Sequence, residues 1–486
     1  MMDLRAIVGA LESAGLLVTP PERSVELSSI ADDSRRVQEG SLFCAVVGTV
    51  DDGHAHVGDA LARGASAALV THRVDVSMPQ VVVKDSRRAA SVAAREWYGR
   101  VADRLTLIGV TGTNGKTTTV AIACHLLNSE RTAGRIGTLG AFDGHGERLP
   151  GYGSLTTPGP IEFHAVLAEL ENRGASTVVM EASSHGLDQG RLADAAFKAA
   201  VYTNVTHEHL DYHPDLDAYA AAKMKLSGLL RSDGIEVVNA DDPVWNTLPP
   251  RPGIRRILCG RRSHADVRAG GERLGPSGSE CLFQFAGVEQ RVVLPLIGEF
   301  NVSNALAASA TAWGLGAEPA AIAERLRDVP KVPGRMELLA SGRFTVIRDY
   351  AHTPDGFERS IATVRAMTPG KLIVLFGAGG DRDRKKRPVM GRIAATLADL
   401  VVLTEDNPRT EDPERTIDDI EAGMGGVDHL RIRDRERGIR KAISLLESGD
   451  CLLLLGKGHE TYQIIGTTKL PFHEPDIVRS AVEAQQ

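Results

Sequence analysis

Cysteine is scarce in this chain. Five cysteines stand in 486 residues, at Cys44, Cys124, Cys259, Cys281 and Cys451, far apart and with no C-x-x-C pair. Such spacing suggests neither a disulfide framework nor a zinc site. Long apolar runs are missing too: nothing approaches the roughly 20 residues that span a bilayer. The opening Met-Met-Asp-Leu-Arg lacks the apolar core of a signal peptide. Positive charge is not in excess. Against 56 Lys+Arg stand 63 Asp+Glu, a formal net charge of −7, which argues against a nucleic-acid or anionic-membrane partner. Internal repeats and low-complexity segments are also lacking. We expect a cytoplasmic protein without membrane insertion, working on small molecules.

What remains is ordinary globular composition, 42% hydrophobic and 24% charged. The length suits about three domains. Strand-like apolar runs alternate with helical stretches, which predicts α/β architecture with largely parallel sheets. The boundaries fall as residues 1–100, 101–334 and 335–486, with the turn-rich Pro330-Lys-Val-Pro-Gly-Arg335 as hinge. Strands are expected at Ser41–Val47, Val81–Lys84, Thr177–Met180, Ala200–Thr203, Ile235–Asn239, Phe344–Arg348, Leu372–Phe376, Leu400–Thr404 and Cys451–Leu455. Residues Gly260–Val293 read as a small β excursion, and Asn301–Leu315 as a helix.

The segment most laden with chemistry is Leu105-Thr-Leu-Ile-Gly-Val-Thr-Gly-Thr-Asn-Gly-Lys-Thr-Thr118. A β-branched run ends in a glycine-rich turn, and Lys116 and Thr117 open a helix. Backbone N–H groups of Gly112, Thr113, Asn114 and Gly115, with the helix N-terminus behind them, make an anion site. Lys116 would reach the β/γ-phosphates, and the hydroxyl of Thr117, followed by Thr118, would ligate Mg²⁺. Val110 stands where a strict P-loop begins with glycine.

Two neighbouring strand ends in the second block carry Glu181-Ala-Ser-Ser-His185 and Asn204-Val-Thr-His-Glu-His-Leu-Asp-Tyr-His213. Glu181 and His209 suit a divalent metal, although Mg²⁺ favours oxygen and a lone histidine is more often structural. Lys223, on the following amphipathic helix, is by default a solvated lysine. The sharper alternative is a lysine near the metal, carbamylated by CO₂. In the third block four strand ends carry glycines and charges of both signs: Asp349–Asp355, Gly377–Arg387, Glu405–Thr410 and Gly456–Thr461. Together they suggest a cleft for a zwitterion, with arginine on its carboxylate and Glu460 on its ammonium.

Taken together, these motifs resemble the Mur ligases, a family of ATP-dependent amide-forming enzymes. Gly112-Thr-Asn-Gly-Lys-Thr117, Glu181–His185, His209-Leu-Asp-Tyr-His213, Gly298-Glu-Phe-Asn-Val-Ser-Asn304, Gly334-Arg-Met-Glu337 and Asp349-Tyr-Ala-His352 follow family order. The resemblance implies a central P-loop-type parallel sheet flanked by an N-terminal uridine-nucleotide domain and a C-terminal Rossmann-like domain. It implies ATP and Mg²⁺, and places Lys116, Glu181, His209 and Lys223 in the catalytic set, Lys223 as a CO₂-derived carbamate. Thr117 would share the metal with Glu181, His209 and Lys223. Asn301, Asn304, Arg335 and Asp349 match nucleotide positions. Ser34, Thr156, Thr157, Ser183, Gln189 and Arg191 match positions for the UDP-substrate. Arg382, Asp406, Asn407, Pro408, Arg409, Gly456 and Glu460 match the amino-acid pocket.

The Asp406-Asn-Pro-Arg409 motif is similar to that of the branch adding meso-diaminopimelate to the D-Glu γ-carboxylate of UDP-MurNAc-L-Ala-D-Glu in peptidoglycan synthesis. Arg409 would read the distal carboxylate that L-lysine and L-ornithine lack. A folylpolyglutamate-synthase-like ligase is the remoter rival, since residues 1–100 have no counterpart there. Three features depart from the pattern. Glu208 stands where aspartate is usual, Lys385 replaces a common glycine, and Thr49 and Val50 leave the uridine-loop contacts undefined. A monomer is expected.

Overall fold

The computed structural model describes residues 1–48, 51–129, 132–153, 155–209, 212–262 and 264–485. The fold is α/β, and the chain divides into two compact units. One comprises Met1–Gly112, Ala123–Thr203 and Asp217–Leu258; the other comprises Thr113–Ile122, Asn204–Leu216 and Cys259–Gln486.

In the first unit an N-terminal five-stranded sheet runs in the order Leu17–Thr19, Gln80–Val83, Ala67–Val70, Ser41–Cys44, Ser29–Ala31. Its pairs are parallel except the first. Alternate residues feed two cores. Leu42, Leu69 and Val81 join Leu4, Ile7 and Leu11 on one side. Phe43, Ala68 and Val82 join Val57 and Ala60 on the other. Burial on both faces explains why these strands read as unbroken apolar runs. The helix Leu4–Ser13 buries Leu4, Ile7 and Leu11, one stripe at helical spacing, and starts where the Asp3 carboxylate accepts from the Arg5 N–H. Such a cap contributes about 1 kcal/mol.

The same unit holds a second set of strands, ordered Gly140–Phe142, Ala133–Gly137, Thr177–Glu181, Thr106–Thr111, Phe197–Tyr202 and Leu230–Asn239. Thr106–Thr111 is parallel to both its neighbours. Register sets Glu181 beside Val110 and Tyr202 beside Thr111. Three carboxyl ends therefore align just before Gly112, where open α/β sheets place their ligands.

The second unit begins its sheet structure with antiparallel hairpins Val267–Gly275, Gly278–Phe285 and Val288–Leu294, the β excursion expected from sequence. The helix Glu299–Gly314 follows. A six-stranded sheet then runs Glu337–Ala340, Thr345–Asp349, Cys451–Leu455, Leu372–Phe376, Leu400–Leu403, His429–Arg431. Leu372, Val374 and Phe376 pack with Phe357, Met390 and Ile417. Ile373 and Leu375 pack with Ile439, Ile443 and Val478 on the opposite face. Each such side chain contributes roughly 1.5–3 kcal/mol on burial. Observed strand ends differ from the expected ones by a few residues, as at Ser41–Cys44 and Thr345–Asp349.

Candidate active site

The first unit assembles a hydroxyl-rich cluster around Glu181, which is 1% exposed. One carboxylate oxygen accepts from the Thr138 N–H at 2.9 Å and the other from the Thr138 hydroxyl at 3.1 Å. Gly137 makes this approach possible, because a Cβ there would stand 2.3 Å from Glu181 Oε1. The Thr138 hydroxyl also meets that of Thr156 at 3.1 Å. Thr157 donates its hydroxyl proton to the Glu181 carbonyl and accepts the Ser183 N–H, both at 2.9 Å. A hydroxyl has one proton, so the 2.9 Å contact between Ser183 and Thr157 runs from Ser183 to Thr157. Arg191 donates to the Thr157 carbonyl at 2.7 Å and to Gln189 Oε1 at 2.8 Å. Five of the six expected UDP-substrate positions thus share one neighbourhood. Ser34 lies apart from these bonds, half-buried in the single turn Ser34–Arg36.

Lys223 corrects the default reading. It is not a solvated lysine but is 1% exposed. Its ammonium donates to the Gly112 carbonyl at 2.7 Å and lies 4.1 Å from the centre of the Tyr219 ring. Lys225, two residues on, is half exposed and pairs with Asp188 at 2.6 Å. Burial singles out Lys223.

In the second unit the phosphate loop is tied to residues far along the chain. The Thr113 N–H donates to the Asn204 carbonyl at 2.6 Å, and the Asn114 N–H to the Asn204 side chain at 2.9 Å. Asn114 donates to Asp355 at 3.0 Å, and Lys116 to the Thr113 carbonyl at 2.8 Å. Gly115 has φ 85°, and a Cβ there would stand 2.2 Å from Asn304 Oδ1. Asn304 is held by Asn301, whose own amide donates to the Ile297 carbonyl. Both asparagines are buried, shaping the loop from behind. Thr118 is buried as well.

Arg335 donates to the Thr117 hydroxyl at 3.1 Å while its guanidinium lies 4.6 Å from the centre of the Tyr350 ring. Asp349 accepts from Met336 N–H, Ala351 N–H and the Ser360 hydroxyl. His209 is exposed at φ 57°; Leu210 and Asp211 of its motif, like Thr49 and Val50, lie outside the described residues. Glu208 meets His352 at 3.2 Å. Burial opposes its ionisation, but the His352 bond and the charges of His352, His209 and Lys116 outweigh that and hold its carboxyl well below the usual range.

Also in this unit, the third-block strand ends converge. Asn407 donates to Glu460 at 2.7 Å and accepts from Lys457 at 3.1 Å and from the Ile464 N–H at 3.0 Å. Gly456 packs against Asp406. Arg409, at φ 53°, donates to the Gly380 carbonyl at 2.8 Å, and Pro408 packs on Gly380. Burial and the neighbouring Asp406 charge push the Glu460 carboxyl upward. Arg382 is exposed and, like Lys385, stands outside this bonded cluster. Sequence reasoning missed Asn204, Thr138, Asp355 and Lys457. Only Lys457, between two glycines and three residues before Glu460, carried a local signal.

The Mur ligase middle-domain pattern matches residues 110–312, and the Mur ligase glutamate-ligase-domain pattern matches residues 334–458. The chain belongs to the Mur ligase family. Among the Mur ligases it resembles is the UDP-N-acetylmuramoyl-L-alanyl-D-glutamate--2,6-diaminopimelate ligase of Chlorobaculum tepidum, 41% identical with 98% of this chain and 96% of that one covered. The ligase of the same name from Aquifex aeolicus is 42% identical over 93% of each. A solved structure of a ligase of that name superimposes with a TM-score of 0.67, at 32% identity, covering 94% of this chain and 95% of that one.

Among the described residues no group of three or more His, Cys, Asp or Glu side chains forms a metal cluster. The expected set of this Mur ligase draws instead on Thr117, Glu181, His209 and Lys223. Glu181 has spent two of about four lone-pair sites and can still accept. Lys223 as an ammonium can only donate; as a carbamate it would be an oxygen ligand suited to Mg²⁺.

Proposed function

We propose that this chain is an ATP-dependent amide ligase adding meso-diaminopimelate to the D-Glu γ-carboxylate of UDP-MurNAc-L-Ala-D-Glu. Residues 1–100 bind the UDP-substrate, 101–334 bind ATP, and 335–486 bind the amino acid. A carboxylate and an ammonium do not condense unaided in water. The γ-phosphoryl of ATP therefore passes to the carboxylate oxygen, releasing ADP. The amine then attacks the acyl carbon, and phosphate leaves from the tetrahedral intermediate as the amide forms.

The chain's own residues position and neutralise. The backbone N–H groups of Gly112 to Gly115 and the ammonium of Lys116 cradle the phosphates. Arg335 adds a cation to the same end of the loop. Thr156, Thr157, Ser183, Gln189 and Arg191 orient the carboxylate that is activated. Thr117, Glu181, His209 and a carbamylated Lys223 would hold Mg²⁺, which would supply charge neutralisation at the phosphates.

One observation carries the choice of amino acid: Arg409, whose guanidinium donates to the Gly380 carbonyl, lies on the same strand end as Asp406 and Asn407, and Asn407 donates to Glu460. Glu460 and Asp406 face an ammonium, while the forked guanidinium suits a second carboxylate. The names of the full-length relatives support this reading. The test is phosphate release by purified protein with Mg²⁺. Release that requires ATP, UDP-MurNAc-L-Ala-D-Glu and a diamino acid together is expected. Release from ATP alone, unaffected by the other two, contradicts the ligase reading.

A further inference from the structure

We propose that Lys457 is a positioning residue of the amino-acid pocket, its buried side chain holding Asn407, Asp406 and Glu460 in the arrangement that receives the ammonium of the incoming amino acid. This rests on the amino-acid pocket proposed above. Lys457 is 0% exposed. Its Nζ lies 3.1 Å from Asn407 Oδ1, 3.5 Å from Glu460 Oε2 and 4.0 Å from Asp406 Oδ1. The aromatic face of Phe472 lies 5.6 Å away. Lys457 is therefore enclosed by the groups expected to meet the substrate, while remaining unavailable to solvent.

Two carboxylates in one partly desolvated pocket repel, and one of them tends to take up a proton. A protonated Glu460 could no longer pair with an ammonium. Burial and Asp406 both push Glu460 toward that state; Lys457 and the Asn407 amide oppose it. Tyr350 and Tyr462 also face Glu460, and Arg409 faces Tyr462. Of these groups, Lys457 is the cation bonded to the shared Asn407 and within 4.0 Å of both carboxylates. Asn407 ties the arrangement together, accepting from Lys457 through its oxygen and donating to Glu460 through its nitrogen.

Without Lys457 the proton affinity of Glu460 rises, so at any given pH a smaller fraction is ionised. The KM for meso-diaminopimelate should then rise as pH falls from 8 to 6, in the variant more steeply than in the wild type. A one-unit upward shift makes the variant's KM exceed the wild type's by a factor that approaches about tenfold below the wild-type pKa.

The experiment compares wild type, K457M and K457Q, taking KM for each substrate and kcat from pH 6 to 8. K457Q keeps a hydrogen-bond donor for Asn407 without the charge, and serves if K457M does not fold. The expected result is a KM for meso-diaminopimelate that climbs toward low pH in either variant. The KM values for ATP and the UDP-dipeptide, and kcat at saturation, stay within about twofold. Introducing K457Q into an E460Q background should add little further loss, because the two residues act through one another. A pH-independent rise, an equal rise for all three substrates, or full additivity with E460Q overturns the proposal. Wild-type protein that releases phosphate without regard to a diamino acid would instead overturn the pocket itself.

Discussion

Glu181 and Gly137 are fitted to each other: Oε1 of the carboxylate occupies space that a side chain on Gly137 would claim, 2.3 Å from the position of its Cβ. The glutamate is fully enclosed, and Thr138 fixes both of its oxygens. G137A should therefore turn the carboxylate out of place without touching the phosphate loop. If Glu181 helps hold Mg²⁺ as proposed, displacing it costs about 10- to 100-fold. We expect a fall of that size in kcat, with a higher Mg²⁺ concentration for half-maximal rate and little change in the KM for ATP. Steady-state phosphate release over a Mg²⁺ titration measures it.

Lys223 and Lys225 stand two residues apart but face different surroundings, one enclosed beside Gly112 and the other paired with Asp188 near solvent. If the carbamate forms, it forms on Lys223. K223A should abolish measurable ligation, whereas K225A should keep activity within about threefold, as exposed pairs contribute only about 0–1 kcal/mol. NMR with ¹³C-bicarbonate should show a carbamate signal in wild type and K225A that is missing in K223A.

His164 gives the fold a pH dependence of its own. It is buried against Phe163, and neither ring nitrogen has a hydrogen-bond partner among the described residues. Burial, with the nearby Arg95 charge, drops its pKa to about 3. The unfolded chain binds the proton near pH 6.5 and the folded chain does not, so folding is favoured above that value and weakens below it. This one group should lower stability by about 1.4 kcal/mol per pH unit between about pH 6.5 and pH 3. Denaturant melts from pH 7 to pH 4 check it, and H164L should remove that component of the slope.

Much of this was legible in sequence because it is local. The run Leu372-Ile-Val-Leu-Phe376 reads as a strand buried on both faces, and its residues do alternate between two cores. The strand, loop and Lys116-Thr117 helix start follow one another without a gap. What could not be seen depends on closure of long loops. Arg335 reaches Thr117 from 218 residues away, and Asn204 holds Asn114 from 90. No periodicity encodes such pairs. A lysine on an alanine-rich helix reads as solvated by default, and what encloses Lys223 is the Gly112 carbonyl, far from it in sequence, with the Tyr219 ring. The local signal at Lys457 is weak, since a lysine in a glycine loop reads as solvated and only the surrounding strand ends bury it.

Competition among meso-diaminopimelate, L-lysine and L-ornithine for one enzyme decides the role of Arg409, with ATP, Mg²⁺ and UDP-MurNAc-L-Ala-D-Glu saturating and products resolved by mass. Wild-type protein should form the meso-diaminopimelate product almost alone. R409A should lose that preference, by about 10- to 100-fold in kcat/KM if the lost contact is a charge-assisted pair of about 1.5–3 kcal/mol. Equal or greater incorporation of lysine or ornithine by the wild type would contradict the role given to Arg409.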